Sequence, residues 1–257
     1  MGIATRVARS VCDMFFANEE PFALHIEEKT MRELYELCGA DRELLFSPYC
    51  WRVRLALAHK GLDFHSRPIR FGEKAAIEFS GQKLVPVLVD DRQSIHDSVA
   101  IFAYLDARYP QRPLLGDGAA AERARLVERL SFHALRMPLL KILLLRAYQA
   151  CAEEDRDYFR SSREQAFGMP LEEMADPRGG ERQLRQALAP LEAWLGDKPY
   201  LEGDEAGACD YLVAGMLLWA WCLGVQPWAE ESAVGAWFTR IRQAYERDHG
   251  PIKRASF

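Results

Sequence analysis

Ser47-Pro48-Tyr49-Cys50-Trp51-Arg52 stands between a short apolar stretch and a strongly helical one, and its reading decides the fold. A redox Cys-x-x-Cys puts its nucleophilic cysteine on the loop entering a helix, where free backbone N–H groups and the positive end of the helix dipole stabilise a thiolate. Here the first of those positions holds Ser47 and the second holds Cys50. A serine hydroxyl cannot attack a disulfide, but it can donate a hydrogen bond to a thiolate. The stretch reads as a site for a sulfur that arrives with a ligand.

Working outward, Leu34, Tyr35 and Leu37 alternate with charge before Gly39-Ala40-Asp41, which predicts a strand over residues 32–38. Downstream, Pro48 suits a first helical turn, and Tyr49, Val53, Ala56 and Leu57 recur on one face until Lys60-Gly61 closes the helix. Residues 63–71 look extended, with Pro68 favouring an edge position, and residues 72–79 form a short helix or loop. The apolar run 84–89 predicts a buried strand through Pro86, residues 93–95 a last short strand, and Asp97 or Ser98 caps a helix to about Tyr109. The order is βαβ, an antiparallel ββ pair, then α.

Residues 110–118, with two prolines and two glycines, read as a linker between a first domain over 31–109 and an all-α domain over 119–257. Helical periodicity marks residues 119–136, 139–150, 155–167, 181–195, 210–223 and 230–247. Pro138 should break or kink the first of these, and residues 176–180 (Asp-Pro-Arg-Gly-Gly) read as a loop.

Composition excludes several classes of function. The chain has 257 residues and a net charge of −5, with lysines and arginines spread among acids, which argues against a nucleic-acid partner. The longest apolar run, 213–225, is too short to cross a bilayer and contains two glycines and two tryptophans, so it reads as a buried helix and no membrane partner is expected. Six cysteines without paired spacing suit free thiols and a cytoplasmic location. Residues 1–30 read as a weakly structured leader: Arg6 and Arg9 are soon followed by acids, no apolar signal core intervenes, and Gly2 lacks the Ser or Thr at position 6 that myristoylation favours. The six histidines show no metal-ligand spacing, and His96-Asp97-Ser98 cannot form a spatial triad from adjacent residues, so no metal is expected.

Two features sharpen the first-domain reading. A cis Val85-Pro86 bond would turn the Val85 backbone outward to pair with an extended peptide, although an edge-strand proline would explain Pro86 equally well. Asp97-Ser98 taken alone is an ordinary helix cap. Together with SPYCWRVRLALAHKGL from Ser47 and the Leu84-Val85-Pro86-Val87-Leu88 run, these features resemble the glutathione transferase superfamily over residues 32–247. The resemblance implies an α/β thioredoxin-like first domain, with a mixed four-stranded sheet in βαβ–ββα order, followed by the all-α bundle. It implies glutathione as cosubstrate, a small-molecule electrophile as the second substrate, and a homodimer.

Carried over residue by residue, the family's roles fall on Ser47 as thiolate donor, on Val85 with Pro86 for the cysteinyl backbone, and on Asp97 with Ser98 for the γ-glutamyl end. Arg52 and Lys83 are candidates for the glycine carboxylate or for steering, though such cations are more often simply surface charge. Tyr49, Met137 and Tyr148, with Leu135 and Leu140, are candidate walls of an electrophile pocket between the domains, or core residues. Asp210 resembles the family's buried capping acid, but Gly207 stands where the usual box has Ser or Thr, which implies a weaker cap.

Residues 156–165, RDYFRSSREQ, look like a solvated charged helix face. With SPYxWR they also resemble the bacterial lignin β-aryl-etherase branch. The expected function is therefore activation of the glutathione thiol for attack on an electrophilic aromatic substrate, with β-aryl ether cleavage as its specific form. A thiol transferase or peroxidase working through Cys50, and a non-catalytic glutathione-binding protein, are the alternatives. Loss of activity on Cys50→Ser would favour the first of these, and retained glutathione affinity without turnover the second.

Overall fold

β1 (Arg32–Leu37), whose residues alternate between buried and half-exposed, is one of the two inner strands of a four-stranded sheet, in a computed structural model that describes residues 31–257. The expected leader, with Gly2 and Arg6, lies outside the described residues. β1 pairs in parallel with β2 (Phe64–Ile69) and antiparallel with β3 (Val87–Asp90), which pairs antiparallel with β4 (Gln93–His96). The order β2-β1-β3-β4 leaves β2 at an edge, where Pro68 can be accommodated without spoiling a second ladder. Two of the three buried residues on β1 are charged, and each is partnered. Arg32 meets Asp90 at 3.5 Å, and Glu36 receives two 2.6 Å hydrogen bonds from Arg54.

α1 (Pro48–Lys60) connects β1 to β2; Ser47 is its N-cap, and Gly61, at φ 65°, closes it in the left-handed conformation that glycine tolerates best. α2 (Ser98–Arg108) follows β4. The strand expected over residues 84–89 begins only at Val87, because the Val85-Pro86 bond is cis and turns the chain; Leu84 is 74% exposed.

The remaining helices are α3 (Gly118–Ala150), α4 (Arg156–Phe167), the one-turn α5 (Leu171–Met174), α6 (Pro177–Trp194), α7 (Ala208–Cys222) and α8 (Ala233–His249). Two expectations need correction here. α3 does not break at Pro138 but runs through it for 33 residues. An interior proline costs about 3 kcal/mol, and burial of Leu135, Leu139, Ile142 and Leu143 around it offsets that loss. Nor is the Asp-Pro-Arg-Gly-Gly stretch a loop. Asp176 caps α6 by accepting the Gly179 N–H at 2.9 Å, Pro177 fills the first turn, and Gly180 lies so close to α3 that a Cβ would sit 2.7 Å from the Pro138 carbonyl oxygen.

α7 is the buried axis of the helical layer. Its Asp210 accepts the N–H groups of Leu201 at 2.7 Å, Gly207 at 3.1 Å and the Trp237 indole at 2.7 Å. The half of the capping box that Gly207 lacks comes from elsewhere: Glu202 accepts the Cys209 N–H at 3.0 Å, and its carboxylate fills the space a Gly207 side chain would occupy. The cap is rebuilt by another residue, which the pattern at 207 and 210 could not reveal.

Candidate active site

The local sequence dictates how Ser47 is presented. Pro48 begins α1 without needing an acceptor for its missing N–H, and Ser47 adopts the extended backbone of an N-cap. Its Oγ accepts the Cys50 N–H at 3.3 Å, which leaves the hydroxyl proton free to be donated elsewhere. Ser47 is buried, yet it lines a cavity of about 360 Å³ bounded by α1, the Val85 turn, α3, α4 and α7. Behind it, Cys50 is 1% exposed and does not line the cavity, and burial pushes its thiol up to about 12.

Of the other candidates, Tyr49, Lys83, Val85 and Leu140 also line this cavity. Burial pushes the Tyr49 phenol above its ordinary value, so it stays protonated, and the Arg52 guanidinium carbon lies 4.9 Å from its ring centre. Val85 sits outside the ladder that starts at Val87, so no strand partner consumes its backbone polar groups; Pro86 is buried behind it. Asp97 caps α2, accepting the Val99 and Ala100 N–H groups at 2.9 and 3.0 Å, and does so with φ at 68°, an unusual value for a residue with a side chain. Ser98 is buried in the first turn of that helix.

Arg52 does not meet its expectation. It is fully buried, where no cation can steer a ligand, and its guanidinium donates to the Leu212 carbonyl at 3.0 Å and to Ser131 at 3.3 Å, with Glu128 at 3.8 Å. It joins α1 to α3 and α7. Met137 and Tyr148 also stay out of the cavity: the Met137 sulfur lies 3.8 Å from Arg136, and Tyr148 packs toward Phe159 and beneath Arg156 and Arg160 of α4. Leu135 is core.

The cavity wall holds residues that sequence reasoning passed over. Phe71, Phe159, Phe167 and Trp219 supply aromatic surface, and Lys74, Arg136 and Arg163 supply charge. A signal existed in α4, where Phe159, Arg163 and Phe167 are spaced four apart and share a face. The charge density of residues 156–165 hid it. Among the described residues no group of metal-ligating side chains is assembled, and no helix is long and apolar enough to cross a membrane.

A hydroxyl at a helix N-cap beside an unladdered Val85 turn, under an aromatic wall, suits a thiol-bearing peptide and an aromatic partner. The family comparisons agree with that arrangement. The model of the glutathione S-transferase N-terminal domain matches residues 43–113, and that of the C-terminal domain matches residues 124–247. The chain is 31% identical to a maleylacetoacetate isomerase of Pseudomonas aeruginosa over 205 residues, covering 75% of this chain and 82% of that protein. It is 26% identical to a glutathione S-transferase-like protein of Aspergillus flavus over 151 residues, covering 54% of this chain but only 55% of the relative. In fold it resembles a glutathione S-transferase of Ceriporiopsis subvermispora solved in complex with glutathione, with a TM-score of 0.74 and 21% identity over 85% of this chain and 98% of that one. With both domain models matched in order along one chain, the protein belongs to the glutathione S-transferase family.

Proposed function

We propose that the protein is a glutathione transferase that ionises the glutathione thiol at Ser47 and directs it at an electrophilic carbon of an aromatic substrate. One observation carries the proposal. Ser47 lines the cavity and its oxygen accepts the Cys50 N–H, a bond that does not use the hydroxyl proton, which supports a donor role. A free thiol with a pKa of about 8.5 is mostly protonated at neutral pH, and one hydroxyl donor plus a helix N-terminus lowers that value. In this reading the Val85 backbone pairs with the cysteinyl residue of glutathione, Asp97 and the start of α2 take the γ-glutamyl end, and Lys83 takes the glycine carboxylate. The sulfur forms a bond to carbon, the bond to the leaving group breaks with its electron pair, and the thiol proton passes to solvent.

Within the same proposal, the aromatic wall supports an aryl ether as substrate. Sulfur would displace an aryloxide from the carbon next to a ketone, which is β-aryl ether cleavage, and the stretch 156–165 contributes Tyr158, Phe159 and Arg163 to the wall beside it.

Ser47→Ala is the test. It should lower kcat/KM by about 10²-fold, the usual order for loss of one donor to a developing anion, while glutathione affinity changes little. The rise of kcat/KM with pH should move upward toward a midpoint of about 8.5, the value of an unassisted thiol. Full activity of Ser47→Ala on an activated haloarene and on a model β-aryl ether would refute the proposal.

A further inference from the structure

The charges around the cavity are of one sign. Arg70, Lys74, Lys83, Arg136 and Arg163 line it, and no Asp or Glu does, although the chain as a whole carries −5. Arg70 has a carboxylate of its own, Glu154 at 2.5 Å, and the Lys74 ammonium contacts the Tyr158 hydroxyl. Among the described residues Arg136 and Lys83 have no carboxylate at ion-pair distance either, but Arg163 alone of these cations lies over two aromatic rings. It projects from α4, and its guanidinium carbon lies 4.1 Å from the ring centre of Phe159 and 4.8 Å from that of Phe71. Among the described residues its only hydrogen bond is to the Ser162 hydroxyl, at 2.8 Å, and no carboxylate comes within ion-pair distance.

A half-buried cation without a counter-charge is costly, and burial does push the Arg163 guanidinium below its ordinary value, with no carboxylate opposing the shift. The two rings meet edge to face at 73°, and the guanidinium sits over both with only Nη1 engaged, by Ser162, so its other N–H groups remain for a planar, two-oxygen acceptor. Glutathione brings two carboxylates, which the glutathione transferase reading already gives to the start of α2 and to Lys83. Arg163 comes from the helical layer, among the aromatic rings.

We infer that the electrophilic substrate is an anionic one, an aromatic carboxylate bearing a leaving group, whose carboxylate is received by Arg163 while its ring packs among Phe71, Phe159 and Phe167. This rests on the glutathione transferase reading and names the substrate class for the same site. Arg163 acts here in binding and specificity; the bond-forming step is the one already given.

The experiment pairs 4-chloro-3,5-dinitrobenzoate with the matching benzamide, each enzymatic kcat/KM being divided by the rate of the uncatalysed reaction with glutathione. In parallel, the two finished glutathione conjugates are titrated calorimetrically against the protein. The wild-type chain should prefer the carboxylate by about tenfold or more in both measurements, the size expected of a charge-assisted paired contact. Arg163→Met should bring both ratios near one and leave the glutathione KM within about threefold, and Arg163→Lys should retain part of the preference because it keeps the charge but loses the fork. Equal wild-type binding of the two conjugates would overturn the inference. So would an Arg163→Met variant that raises the glutathione KM while the carboxylate preference persists. Ser47→Ala separates the two claims: unchanged rates on both electrophiles count against the transferase reading, whereas the conjugate-binding ratio judges Arg163 whatever the rates show.

Discussion

At the scale of single residues, Ser47 and Cys50 divide between them what one redox motif would combine. Ser47 lines the cavity with its oxygen accepting a helix N–H, while Cys50 lies one helical turn on, buried, with its thiol pushed up to about 12. A thiol held that high is essentially un-ionised at neutral pH and makes a poor nucleophile. Cys50→Ser should therefore leave kcat/KM within about threefold of wild type, and iodoacetamide at pH 8 should modify Cys50 only after denaturation, as peptide mass spectrometry would read. Modification of native Cys50, or loss of turnover in Cys50→Ser, would instead point to thiol exchange chemistry. Serine at 47 and cysteine at 50 were legible as a pair from the chain alone, and the missing first cysteine already favoured a buried structural thiol at 50, which its 1% exposure bears out.

At the scale of elements, the position of Ser47 depends on how closely α1 lies against α7. Gly215 on α7 allows the contact: a Cβ there would fall 2.6 Å from the Pro48 carbonyl oxygen and 2.7 Å from Cγ of Arg52. Two effects of opposite sign compete in Gly215→Ala. Alanine gains about 1 kcal/mol of helix propensity, and overpacking against backbone costs about 1–3 kcal/mol or more. Because one of the obstructing atoms is main chain and cannot swing aside, the clash should win, lowering stability in urea unfolding and, by displacing the start of α1, lowering turnover as well. A variant as stable and active as wild type would show that the two helices can part without cost. The same kind of contact explains why reading α3 and α6 from the chain failed: Pro138 and Gly179-Gly180 are breakers locally, and only the packing of one helix against the other makes both compatible with helix.

At the scale of the molecule, the passage from the sheet layer to the helical layer is held by the end of α1. Lys60, its side chain fully buried, meets Asp106 at 2.6 Å and donates to the carbonyls of Tyr109 and Gln111; Asp106 also accepts the N–H groups of Leu114 and Leu115 at 2.7–3.0 Å. Beside it His59 donates from Nε2 to the Arg112 carbonyl, so its Nδ1 is the acceptor for the Tyr211 hydroxyl of α7 at 2.9 Å. Burial keeps this imidazole below its usual range and hence neutral at pH 7. Burial raises the Asp106 carboxyl, but Lys60 and the two backbone donors outweigh it and hold the group below its ordinary value. A carboxyl depressed on folding stabilises the protein fully above its unfolded pKa, about 4, and loses that contribution as pH falls through the folded value. Asp106→Asn should thus cost about 1–3 kcal/mol at pH 7, and the gap to wild type should narrow below about pH 4. Urea titrations at pH 7 and pH 3 decide the matter, and a gap of equal size at both would exclude the charge as its cause.

The chain by itself determined the order of strands and helices in the first layer, the edge place of β2, the serine that opens α1 and the cap at Asp97, because each is a local matter of period, turn chemistry or capping. Tertiary structure alone decided that Arg52 is a buried tie between layers, that Glu202 completes the cap Gly207 cannot make, and that Arg163 faces a cavity shared with Ser47. The physical reason is common to all three. A long charged side chain carries no local signal of its partner, and the free energy of burying it depends on atoms supplied from elsewhere in the chain.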